Sequence, residues 1–293
     1  MKRAAIVIAV LGVCVWSFGQ GNTKPAGQSA PAGQATQPAE QAAAPAGKRP
    51  PKVNSQEEFA AYKTAAALTD AAALEKAADD FATKYPDSEL RPLLYRSAMQ
   101  RYQQVNNADK MLEMARKVLA IDPDDPEALV SISQVLAERT RDTDLDRDQR
   151  LAESRKNAER ALLTIETDIP TSGYPPEQLA SYKGYLRSEA YAVLGKLSSD
   201  AKNWPDAEAE LRKSIDAFPQ QVDSIAVLRL AVALDMQNKI PEALKYADQA
   251  VELTKDRPES GAGKAARDEK DRLTKLNVGA APGQTQTATP PKN

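Results

Sequence analysis

Histidine is absent from the 293 residues, cysteine occurs once, and aromatic side chains (4 Phe, 9 Tyr, 2 Trp) make up 5%. Without imidazole there is no Ser-His-Asp triad, no Cys-His pair and no histidine-rich zinc site, because each needs a nitrogen base or ligand that titrates near neutral pH. Carboxylate and lysine chemistry survives this filter. Neither sign of charge dominates: 39 Lys and Arg face 41 Asp and Glu. The chain therefore lacks the basic footprint that nucleic-acid binding requires. With Cys14 as the sole cysteine, no disulfide within the chain can hold the fold. The length suggests about two domains, yet both ends are poor in large apolar residues, so the core must come from the middle.

Lys2 and Arg3 precede an apolar run from Ala4 to Val15, with small side chains at Ser17 and Gly19. A basic start, an apolar stretch too short to span a bilayer and a small-residue exit read as a secretory signal peptide, residues 1–19. The rival reading is an uncleaved anchor. Lipidation at Cys14 is disfavoured because Val13 stands where a small residue is wanted. Cleavage would remove two positive charges and take the net charge from −2 to −4. Residues 20–53 are rich in Ala, Pro, Gly, Gln, Ser and Thr, and residues 278–293 share that composition. Such segments bury too little apolar surface to offset their ordering entropy, so the expectation is a disordered tether before the folded part and a disordered tail after it. Export to the periplasm or cell envelope is the localisation this organisation implies.

Residues 54–277 show no alternating apolar runs bounded by turns, as half-buried strands would give. Apolar residues recur instead at steps of three and four, the period of one helix face. Ser55 and Glu58 have capping-box spacing. Segments also repeat. Tyr95, Ala98, Met99 and Tyr102 are followed by Met111, Ala115, Val118 and Pro123, and Tyr191, Leu194, Gly195 and Ser198 by Ala207, Leu211, Ser214 and Pro219, at the same internal offsets. Val227, Leu230, Ala231 and Leu234 are followed by Ala243, Ala247 and Ala250; an earlier half copy is Leu74, Ala78, Phe81 and Pro86.

These offsets resemble the tetratricopeptide repeat (TPR), a 34-residue helix–turn–helix. The resemblance covers nearly all of residues 55–258 and implies an all-α, TPR-like α-solenoid of about five helix–turn–helix repeats plus a C-terminal capping helix. Intervals between Leu74, Met111, Ser154, Ala207 and Ala243 are 37, 43, 53 and 36 residues, so two repeats carry insertions, around 140–148 and 167–186. In the second, Ile169 to Pro176 is expected to be a loop. The helix near 263–276 is expected to be polar nearly all round, as a solenoid end should be. Lys84-Tyr85-Pro86-Asp87-Ser88 is similar to repeats of bacterial envelope lipoproteins that help to assemble outer-membrane proteins.

In such a solenoid, first helices line a concave face, and the repeat register places Arg96, Gln100, Gln103, Gln134, Glu189 and Lys196 on it. The Lys and Asn pair with which chaperone-binding members hold a terminal carboxylate is replaced by Arg96 with Gln100 and Val130 with Gln134. The resemblance thus implies a non-catalytic protein-interaction scaffold without that clamp, binding a protein segment, with no cofactor and no nucleic acid. The alternatives are a structural subunit of an envelope or outer-membrane assembly complex and a carboxylate-dependent glycan hydrolase. The Asp142, Asp144, Asp146, Asp148 and Glu153 spacing matches a calcium loop, but Arg147 stands where a glycine is needed and three arginines can neutralise the acids. A solvated turn ending in a helix-capping aspartate is the preferred reading. The tyrosines are expected to pack with hydroxyls at the rim, and Trp204 to staple a second-helix start.

Overall fold

The computed structural model describes residues 47–170 and 174–279. The expected signal peptide, the tether up to residue 46, the tail from 280 and loop residues 171–173 lie outside the described residues. Within them regular structure is helical throughout: α1 (Gln56–Ala66), α2 (Ala71–Lys84), α3 (Arg91–Gln104), α4 (Ala108–Ile121), α5 (Pro126–Arg139), α6 (Arg147–Thr164), α7 (Pro176–Asp200), α8 (Trp204–Ala217), α9 (Ser224–Asp235), α10 (Ile240–Leu253) and α11 (Gly261–Gly279), with one 3₁₀ turn at Pro219–Gln221. No helix among the described residues is long and apolar enough to cross a membrane.

Local chemistry sets the helix ends. Ser55 and Glu58 form the reciprocal capping box of α1, and the side chains of Asp70, Asn107, Asp125 and Asp223 cap α2, α4, α5 and α9. Each cap satisfies a backbone N–H that the first helical turn leaves without a partner. Pro92, Pro126, Pro176, Pro205 and Pro241 occupy first turns, where a missing N–H costs nothing. Asn106, Lys202 and Asn238 adopt positive φ, each two residues before a second helix. Trp204 is the first residue of α8 rather than the residue before it, and it packs half-buried on the α8–α10 core.

Consecutive helices pair as five antiparallel hairpins, α1 with α2 through α9 with α10, and each second helix packs on the next first helix. α11 covers α10 and touches α9. First helices also approach one another directly, α1 with α3, α5 with α7, α7 with α9 and α9 with α11, whereas second helices do not approach to that degree. The closer spacing on one side curves the array, with first helices inside. Across the outer side, long charged side chains bridge the gap: Lys117 to Asp79 at 2.8 Å, Arg116 to Glu153 at 3.4 Å and Arg212 to Glu242 at 2.6 Å.

Small residues let paired helices close up. A Cβ on Gly195 would lie 2.6 Å from Leu211 Cγ, and one on Gly184 would lie 2.7 Å from the Ala217 carbonyl oxygen. Both contacts join α7 to α8. Where the repeat has serine instead, the hydroxyls find partners in the opposite helix. Ser133 Oγ donates to the Ser154 carbonyl at 2.8 Å and Ser154 Oγ to the Ser133 carbonyl at 2.7 Å, joining α5 and α6. Ser214 Oγ donates to the Ser188 carbonyl at 2.9 Å in the α7–α8 hairpin. These buried hydroxyls are thus matched rather than stranded.

The insertion expected around 167–186 divides between loop and helix: residues 169–170 and 174–175 carry no helix, and α7 starts at Pro176, where a proline can open a helix, and runs 25 residues. Two expectations need correction. The aspartate before α6, Asp146, makes no side-chain cap bond; Arg147 instead draws Asp142 (3.2 Å) and Asp148 (3.0 Å) to itself. The capping helix is not polar all round, since Gly263, Ala266 and Leu273 form a narrow buried stripe, which α11 needs in order to stay on α10 and α9.

Candidate binding groove

The residues that the repeat register puts on the inner face all lie on first helices: Arg96, Gln100 and Gln103 on α3, Gln134 on α5, and Glu189 and Lys196 on α7. The structure joins most of them to one another or to near neighbours. Arg96 sits largely buried between α3 and the start of α5, hydrogen-bonded to Asp125, whose other oxygen caps α5 by accepting from the Ala128 N–H at 2.8 Å. Arg96 Nε lies 3.8 Å from Glu127. Glu127 accepts from Gln100 at 2.7 Å and from the Tyr182 hydroxyl at 2.6 Å. Gln134 donates to Glu189 across α5 and α7, and Lys196 reaches one turn onward along α7 to Asp200 at 2.5 Å. Gln103 is exposed.

Burial decides the protonation balance in this network. Burial opposes the charge of Arg96, but Asp125 and Glu127 more than offset it, and the guanidinium is held above its ordinary value. Glu127 goes the other way for a carboxylate: burial pushes it above the usual range, and Arg96, nearer to Asp125, only partly compensates. The Tyr182 hydroxyl is raised by burial and by the Glu127 charge. α3 and α5 approach less closely than α5 and α7 do, so this polar chain fills a space that packing fills elsewhere. Val130, the register mate of Arg96, is fully enclosed between α5, α6 and α7 and offers nothing to a ligand.

The tyrosines follow the same pairing rule. Tyr95 donates to Asp79 at 2.9 Å, Tyr102 to Glu75, and the Tyr246 hydroxyl accepts from Arg212 at 2.9 Å. Burial, then the Glu75 bond, pushes the Tyr102 hydroxyl up to about 12. These rings are core with a polar rim, locking adjacent hairpins together.

The character of the inner face changes along the array. In the fifth hairpin the positions that carry Arg96 and Gln100 in the second are Leu228 and Val232, and Ile225 stands one turn earlier. All three are partly buried on α9, Leu228 packing against the Val227, Ala250 and Ala266 core, and Met236 beyond them is 53% exposed. Sequence reasoning passed over this row because it looked for polar groups; extending the same offsets into the last repeat would have found it. The Asp235 position next to it is tied to Arg272 of α11. Among the described residues no cluster of carboxylates is arranged to hold a metal ion; in the loop before α6, Asp144 accepts from the Arg141 N–H at 2.9 Å, and Glu153 lies along the helix facing Arg116.

No family model and no curated protein sequence matches the chain. Among solved structures it is similar to MamA MSR-1 C2 (16% identity, TM-score 0.39, covering 66% of this chain and 100% of that one). It is also similar to PilW, a widely conserved type IV pilus biogenesis factor (18% identity, TM-score 0.38, 73% and 99%). A third is residues 1–338 of Acl4, an assembly chaperone of RpL4 (14% identity, TM-score 0.39, 76% and 99%). The array is a TPR-like α-solenoid. That assignment rests on this chain's own helix pairing and repeat offsets.

Proposed function

We propose that the protein is a non-catalytic scaffold that holds a segment of another protein on its inner face. The observation that carries this reading is the partly buried apolar row Ile225, Leu228 and Val232 on α9, on a face whose other end is polar and internally paired. Apolar surface left at the water boundary on the concave side of a rigid array is where a partner gains most by burial. The preformed wall spares the complex part of the ordering cost of association. The occupant that fits is an amphipathic or extended segment with two or three apolar side chains at helical or alternate spacing. Glu127, whose carboxyl is raised by burial, already accepts on both oxygens, which supports a structural rather than a proton-transfer role. The basic start, short apolar run and Pro/Ala/Gln-rich segment before residue 47 support export to the periplasm or envelope.

A second reading, a structural subunit docked by its edge, is favoured by a separate observation. Val105, Leu145 and Met236 are exposed large apolar residues in or beside the turns between first and second helices of three hairpins. Photo-cross-linkers placed singly at Val232 and at Leu145 in the full chain, within its source cells, distinguish the two. Adducts with a discrete protein from position 232, lost in Ile225→Glu at unchanged thermal stability, support the groove. Adducts from position 145 alone favour the edge, and none from either defeats both.

A further inference from the structure

The opposite edge, where second helices turn into the next first helices, carries an acid in each of three successive turns. Glu89 lies between α2 and α3, Asp122 at the end of α4 and Asp168 after α6. Lys48-Arg49-Pro50-Pro51-Lys52, the last part of the segment whose composition predicts a free tether, lies along this row without regular secondary structure. Lys48 Nζ donates to both oxygens of Asp122 at 2.5 and 2.6 Å, and it lies 3.7 Å from Asp168. Arg49 grips Glu89 with two parallel bonds at 2.7 and 2.6 Å. Glu89 also accepts the Lys52 backbone N–H at 2.8 Å. The hydrogen bonds therefore reach residues 37 to 74 positions away in sequence.

We infer that the acidic row formed by Glu89, Asp122 and Asp168 is a docking surface for a basic, proline-containing extended segment, and that residues 48–52 of the same chain are its occupant. Each ion pair alone is a weak surface contact. Three things make the set hold. The Arg49–Glu89 pair is bidentate, which adds geometry to charge. Pro50 and Pro51 fix φ and remove donors, so little backbone freedom remains to be lost. The segment is joined to α1 by a short link through residues 53 and 54, which keeps its local concentration high. Fastened in this way, Lys48 is held at the flank of the third hairpin instead of at the N-terminal end of the solenoid. A partner with the same basic, extended chemistry must displace the strap to use the row. The low carboxylate range of Glu89, about 2 because of its bonds to Arg49 and the Lys52 N–H, agrees with an occupied site. This inference is independent of what fills the inner groove.

The test uses the full chain and two readouts. The first is hydrogen exchange at the Lys52 amide, together with trypsin cleavage after Lys48 and Lys52; Arg49 precedes a proline and is resistant. Both should be about tenfold slower in the wild type than in Glu89→Ala/Asp122→Asn/Asp168→Asn, and both should rise in about 0.5 M salt. Lys48→Ser/Arg49→Ser, which changes only residues outside the helices, should accelerate Lys52 exchange to the same degree. The second readout is zero-length coupling of amines to carboxylates in a mixture of heavy- and light-isotope chains. A Lys48–Asp122 link within one chain is expected. Wild-type exchange at the rate of an unstructured peptide, no response to either variant, or a link joining heavy to light chains would each overturn the inference.

Discussion

Replacing Gly195 by alanine sets two known effects against each other at one atom. Gly195 lies inside α7 and faces Leu211 of α8, which is completely buried. In an exposed helix interior the change stabilises by about 0.8–1 kcal/mol, because alanine restricts the unfolded chain. Here the new methyl would lie 2.6 Å from Leu211 Cγ and 2.8 Å from Cδ2. The branch carbon cannot swing aside alone, so the leucine must leave its rotamer or the hairpin must open. Overpacking of this kind costs about 1–3 kcal/mol. The balance is a net loss of about 1 kcal/mol, or roughly 2–4 °C in Tm for a folded unit of this size. Leu211→Ala alone should cost about 2–5 kcal/mol through the cavity it opens. In the double variant the methyl added at position 195 enters that cavity, so the combined loss should fall short of the sum by at least about 1 kcal/mol. Urea unfolding followed by fluorescence reads this hairpin directly, because Trp204 begins α8 and Trp16, in the expected signal peptide, is the only other tryptophan. Additivity within about 0.5 kcal/mol, or a Gly195→Ala variant more stable than wild type, would refute the close-approach argument.

Other outcomes follow from the polar interior. Arg96→Met should destabilise by about 3–5 kcal/mol because it leaves Asp125 and Glu127 buried without their cation, whereas Glu127→Gln should stay within about 1 kcal/mol of wild type at pH 7; thermal melts of both separate the two residues. The Glu127 carboxyl is raised in the folded state, so folding binds its proton more tightly than the unfolded chain does. Stability therefore rises as pH falls toward the ordinary glutamate range, and wild type should gain on Glu127→Gln between about pH 7 and pH 4; a parallel pair of pH–stability curves would contradict this. Ser133→Ala and Ser154→Ala should each cost about 0.5–1.5 kcal/mol by removing a bond between α5 and α6, checked by denaturant midpoints. Lys202→Pro should cost about 3 kcal/mol or more, since φ of 58° at this turn is closed to proline, and on heating the fluorescence of Trp204 in α8 should change before the helical circular dichroism of the whole array is lost.

Much of the architecture was readable because its causes are local. Offsets shared by Tyr95, Tyr191 and Val227, and by Met111, Ala207 and Ala243, follow from the helical period and the need for small residues where hairpin helices meet. Proline and capping residues then placed the helix starts. In the longer insertion Pro175-Pro176 marks both the loop end and the start of α7. The register placed Arg96 and Gln100 on a first helix, but that their partners Asp125 and Glu127 come from the next hairpin was not legible in it.

The order of helices, their pairing into hairpins and the identity of the inward face were already determined by the amino-acid sequence, since each depends on residues within about forty positions of one another. Three further matters were decided by the tertiary structure: which inner-face charges are spent on the protein itself, that Ile225, Leu228 and Val232 of the last repeat are only partly buried, and that Lys48 and Arg49 reach Asp122 and Glu89. Side-chain reach across repeats and the depth of burial set these outcomes, and both exist only once the hairpins have stacked.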